Sequence, residues 1–78
     1  MNIKYEPEET RLANDIALQL NDHGSLHLFL NFSRKYREDY LRKILEKVMS
    51  IPDRQIKKTR GALFTFLVHQ HDSDHSRD

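Results

Sequence analysis

The sequence predicts an all-α fold, a compact bundle of about four helices with the C-terminal helix at its centre. Three observations lead there. Apolar residues recur at three-to-four spacing through most of the 78 residues. Only two glycines and two prolines punctuate the chain, too few for a series of hairpins. A hydrophobic fraction of 37% supplies one small core and no second domain.

The first helix follows Pro7, with Glu8 and Glu9 where a helix start favours negative charge, and its apolar stripe is Leu12, Ala13, Ile16, Ala17 and Leu20. Asn21-Asp22-His23-Gly24 ends it, with Gly24 expected in the left-handed conformation. Ser25 is then placed to cap a second helix carrying Leu26, Phe29 and Leu30 on one side and Leu28, Phe32 and Tyr36 on another. Leu26, Leu28, Leu30 and Phe32 also form a period-two pattern, but a lone strand has nothing to pair with, so helix is preferred. The third helix has Glu38 and Asp39 in its first turn and presents Tyr40, Leu41, Ile44, Leu45 and Val48 on one face. No glycine or proline enforces a break between the second and third, and one long helix remains open. Ser50 and Asp53 have the spacing of a capping box around Pro52, so the fourth helix is expected from about Pro52 to His69. Its run Ala62–Val68 is apolar on nearly every side, the reason for placing it centrally. Residues 71–78 contain no apolar side chain and read as a disordered polar tail after a single domain over 1–70.

The core is thin, because a domain of this size buries only about 60% of the surface its chain exposes. Leu18, on the polar side of the first helix beside Asp15 and Asp22, is one candidate interface residue. Leu28 and Phe66, opposite Phe64, are the others, and a homodimer would supply burial that the monomer lacks.

Catalysis finds little support. There is no cysteine, no Gly-x-Ser-x-Gly and no phosphate-cradling glycine loop, so no enzyme activity and no cofactor are expected. His23 and His27, and His71 and His75, have metal-compatible spacing, but Gly24 interrupts the first pair and the second falls in the polar tail, so no metal site is expected. The N-terminus is polar and no apolar stretch approaches a membrane span; the expected location is cytoplasmic, away from membranes.

Charge is the informative feature. The formal net charge of +1 conceals a chain that is net −3 over residues 1–32, +6 over 33–60 and −2 over 61–78. On a helix starting at Pro52, Arg54, Lys57, Lys58 and Gly61 fall on one stripe. Cations near a helix N-terminus are disfavoured by the dipole, and an interior Gly61 costs about 1 kcal/mol, so the stripe suits a docked anion and a closely approaching backbone. Glu38 with Arg42, Asp39 with Lys43, Glu46 with Lys43 or Lys47, and Asp53 with Lys57 are the expected local ion pairs. Arg34, Lys35, Arg37, Arg54, Lys58 and Arg60 have no obvious one, although the acidic first helix can fold over some of them. The third and fourth helices have the outline of a helix-turn-helix, with Ser50 and Glu46 where small residues usually sit.

The expected function is therefore a small accessory or regulatory protein that contacts phosphates of DNA or RNA. Arg54, Lys57, Lys58 and Arg60 would anchor it, and Arg34, Lys35 and Arg37 would extend the surface. The alternative is a protein-interaction module, with an acidic protein partner or a second copy of the chain.

Overall fold

The computed structural model describes residues 4–70, and the expected polar tail lies outside the described residues. The helices are α1 (Pro7–Leu20), α2 (Leu26–Lys35), α3 (Glu38–Met49) and α4 (Arg60–Gln70), with single 3₁₀ turns at His23–Ser25 and Asp53–Gln55 and no strand among the described residues. The fold is all-α, as the periodicity requires.

Burial in α1 follows the expected stripe: Leu12, Ala13, Ile16, Ala17 and Leu20 are inside, joined by Glu9. Glu9 Oε1 accepts the Glu6 backbone N–H at 2.8 Å, closing the helix start. The turn after α1 is made by Asn21 at φ 54°, not by Gly24, which is taken up in the 3₁₀ turn. Asn reaches this conformation because its short polar side chain tolerates it, and the Asp22 N–H then donates to the Ala17 carbonyl at 2.9 Å.

In α2 the period-two pattern gives way to helical burial. Phe29, Phe32 and Ser33 are inside, and Leu28 is exposed. The buried Ser33 hydroxyl donates to the Phe29 carbonyl at 2.8 Å, so it carries no unpaired polar atom into the core. Helices α2 and α3 are separate. Tyr36 is extended (φ −114°, ψ 157°) and wholly buried, its ring 5.9 Å from Phe32 and 5.6 Å from Tyr40. One continuous helix would carry Tyr40, Leu41, Ile44, Leu45 and Val48 away from α1. The reversal at Tyr36 buries all five.

The fourth helix starts at Arg60, eight residues after Pro52. The expected capping box does not form, because the Ser50 hydroxyl closes α3 by donating to the Lys47 carbonyl at 2.7 Å. Pro52 is extended (ψ 146°), and after the 3₁₀ turn so is Ile56 (φ −86°, ψ 112°), which half-buries its side chain. Thr59 caps α4 instead, its Oγ1 accepting the Ala62 N–H at 3.0 Å.

Within α4, Gly61, Phe64 and Val68 are buried, and the Tyr40 hydroxyl donates to the Val68 carbonyl at 2.8 Å. Phe64 meets Phe29 edge-to-face at 5.8 Å and 86°. Ala62 and Phe66 are exposed, so α4 is not enclosed as its apolar composition suggested. Apolar content on every side shows what a helix can bury; the neighbours present decide what it does bury.

Gly61 admits a close neighbour, but that neighbour is a carboxylate rather than a backbone. A Cβ at this position would overlap Asp22 Oδ2 and lie 3.1 Å from Asp22 Cγ. Asp22 thereby brings negative charge to the positive end of the α4 dipole. Gly→Ala in a helix ordinarily gains up to about 1 kcal/mol. Gly61→Ala is expected to show none of that gain in the native chain and to recover it in an Asp22→Ala background, read as a double-mutant cycle by urea denaturation. Equal gains in both backgrounds would refute the close contact.

Candidate functional site

The basic middle of the chain is divided by the fold. Arg34 on α2 is committed: its Nη2 lies 3.1 Å from Glu9 Oε1, donates to the Lys4 carbonyl, and its guanidinium sits 4.5 Å from the Tyr5 ring centroid. The Tyr5 hydroxyl in turn donates to Asn31, so this cluster straps residues 4–6 onto α2. The expectation that acidic α1 folds over some of the cations lacking a local partner holds here; α1 also reaches Arg42, which bridges its expected partner Glu38 at 2.7 Å and, in addition, Asp15 at 3.0 Å. That bridge joins α1 to α3 and raises the Arg42 pKa, through the Glu38 bond first and the Asp15 bond second.

Arg37 and Arg60 both have partners within the chain that helical spacing did not suggest. Arg37 grips Asp39 through two hydrogen bonds of 3.2 and 3.0 Å, two residues along. The bond to Arg37 holds the Asp39 carboxyl below its ordinary range. Its charge therefore persists to lower pH than in the unfolded chain, and the pair's small, solvent-screened contribution is lost only as pH falls through the acid range below about 4. Arg60 Nη1 donates to the Val48 carbonyl at 2.6 Å and its Nη2 to Asp53, tying the start of α4 to the end of α3. Asp39 and Asp53 are thus taken by arginines, and neither forms the expected bridge to Lys43 or Lys57.

Lys35 is exposed, with its ammonium 5.3 Å from the Tyr36 ring centroid. Arg54, Lys57 and Lys58 are exposed, and among the described residues no ion pair, hydrogen bond or ring contact holds them. They sit in the 50–59 connection, Arg54 in its single 3₁₀ turn, and not on an α-helix, so the dipole conflict read from the sequence disappears. The helix-turn-helix outline goes with it. A connection of this length exceeds the three- or four-residue turn of that motif, and no helix presents Arg54, Gln55, Lys57 and Lys58 as a reading surface.

The connection instead forms one wall of a groove. Gln55–Thr59 line one side and Ala62, Leu63 and Phe66 of α4 the other, enclosing about 410 Å³. Locally, the backbone is extended at Ile56 after the 3₁₀ turn, and Thr59 caps the start of α4 where the connection ends. The set contains no acidic residue, two lysines, and Phe66 at 60% exposure. Of the three apolar residues proposed as an interface, Phe66 lines this groove; Leu18 (68% exposed) and Leu28 lie exposed on α1 and α2. Running one helix from Pro52 to His69 put both walls on a single element and so missed the groove. The signal that would have found it is Thr59, which can cap a helix in front of the apolar run.

A second depression of about 450 Å³, between α1 and α3, is lined by Gln19, Arg42, Leu45, Glu46, Met49 and Ser50. Its arginine is already bonded to both Glu38 and Asp15, and Glu46 adds further negative charge. Among the described residues no three metal-ligating side chains converge, and no helix is long and apolar enough to cross a membrane.

Comparison of the chain with protein-family models, curated proteins and solved structures finds no match.

Proposed function

We propose that this chain is a non-catalytic protein-interaction module that binds its partner in the groove between residues 55–59 and α4. The observation that carries this reading is Phe66, 60% exposed at a concave site whose walls include the half-buried Ile56 and Leu63. An aromatic ring left in water beside other apolar surface gains most when a partner covers it, and buried aromatic anchors dominate interface energetics. A single exposed apolar residue needs no such account; a concave cluster of them does.

Nucleic-acid binding is the second reading, favoured by the unpartnered Arg54, Lys57 and Lys58. With Arg34, Arg37 and Arg60 committed within the chain, three free anchoring cations would give a salt slope of only about −3 on a log–log plot.

A photo-crosslinking residue at Gln55, in the groove wall, tests the proposal inside the source cell, with the same residue at exposed Asn14 on α1 as control. Discrete protein adducts are expected from position 55 alone, diminished by Phe66→Ser. Nucleic-acid adducts would favour the second reading, and equal protein adducts from both positions would remove the first.

A further inference from the structure

We infer that the groove receives an acidic segment of another protein, one that carries apolar side chains between its carboxylates. This rests on the reading above and adds the chemistry of the partner. Three observations select it. Lys57 and Lys58 line the groove and Arg54 stands beside it, all three without a partner among the described residues, while the neighbouring Asp53 carboxylate is spent on Arg60. Positive charge confined to the rim of an apolar site steers and orients an oppositely charged ligand.

The walls supply the second selection. Ile56, Ala62, Leu63 and Phe66 offer nothing to a phosphate, so a ligand held by charge alone leaves that surface in water. A segment with large apolar side chains covers it, as in groove-binding peptide recognition generally.

The third selection is against a two-fold pairing of this face with itself. In a two-fold contact the same patch meets itself, which would bring Arg54, Lys57 and Lys58 of one copy against those of the other. Among the described residues, part of the acidic charge of α1 is also already engaged within the chain. Of the three carboxylates in α1, Glu9 is held by Arg34 and Asp15 by Arg42.

The test is a fluorescence-anisotropy titration of the full chain with labelled synthetic peptides. The first probe is a Glu/Asp-rich peptide with two leucines one helical turn apart. The second replaces its acids with Lys and Arg, and the third keeps the acids and replaces leucine with serine. Single-stranded and duplex DNA complete the set. The acidic leucine peptide is expected to bind alone, with affinity falling as salt rises. Lys57→Glu combined with Lys58→Glu, and separately Phe66→Ser, are each expected to weaken it roughly tenfold, equivalent to about 1.4 kcal/mol. All three side chains are exposed, and an unchanged circular dichroism melt verifies that the variants fold. Equal binding of the basic or serine peptide, or preference for DNA, overturns the inference. So does a dimer mass by light scattering that reverts to monomer with Phe66→Ser. If no acidic peptide binds while the Gln55 crosslink still captures a protein, the inference falls and the interaction reading stands.

Discussion

Phe29→Ala is expected to lower the unfolding free energy by about 3–5 kcal/mol, the range for removing a buried phenylalanine. Phe29 is wholly buried, and its ring lies 6.5 Å from Phe32 and 5.8 Å from Phe64, so the cavity opens at the meeting point of α2 and α4. Native domains are stable by only about 0.05–0.15 kcal/mol per residue, so this loss consumes much of what a chain of 78 residues holds. At about 4–8 °C per kcal/mol for a domain of this size, the melting temperature should drop by at least about 12 °C, measured by circular dichroism. Phe66→Ala provides the contrast. At 60% exposure its ring adds little to the folded state, and the melt should barely move. Similar shifts for the two variants would mean that the ring cluster is not the core described here.

Arg60→Ala has the second largest expected effect, and magnitudes show where its cost arises. The Arg60 side chain is only 17% exposed, whereas Asp53 is 98% exposed, so the ion pair between them is screened and worth at most about 1 kcal/mol. The larger contribution is the charge-assisted bond to the Val48 carbonyl at the last turn of α3, about 1.5–3 kcal/mol for bonds of this type. The Ile51 N–H, 3.3 Å from that carbonyl, remains as a weaker donor, which places the loss near about 1.5–2 kcal/mol. Asp53→Ala should therefore cost clearly less than Arg60→Ala. Hydrogen exchange should locate the difference, with Arg60→Ala accelerating amides of the α3 C-terminus and the 50–59 connection before those of α1. Since that connection forms one wall of the groove, peptide binding should weaken in the same variant. Uniform acceleration across all four helices would contradict a local clasp.

These two sites also mark how far the sequence could be read. The buried faces of α1 and α3 follow from spacing alone: Leu12, Ile16 and Leu20, and Leu41, Ile44 and Val48, are regular stripes on amphipathic helices. The helices α2 and α4 were legible in existence but not in boundary. The break at Tyr36 has no glycine or proline to announce it and exists because burying that ring and the α3 stripe outweighs one more turn of helix. The α4 start was misplaced because Pro52 and Ser50 carry a local start signal, while Ser50 is used to finish α3 and Thr59 caps the later helix. With that boundary went the proposed basic stripe.

The candidate site divides the same way. Exposure of Leu18 and Phe66 was foreseen from helical geometry, whereas Leu28 was grouped on one side with Phe32 and Tyr36, which are buried. Which cations α1 would cover, and which would stay free, was not foreseen, because an arginine reaches partners far along the chain: Arg34 finds Glu9, Arg42 finds Asp15, and Arg60 finds the Val48 carbonyl. Composition and periodicity alone determined that this protein is helical, with a single thin core and a basic middle. Which positive charges remain free, and the hollow they border, were decided only when the chain closed on itself. Apolar spacing is a local property of consecutive residues, whereas a long charged side chain selects its partner from whatever folding brings within reach.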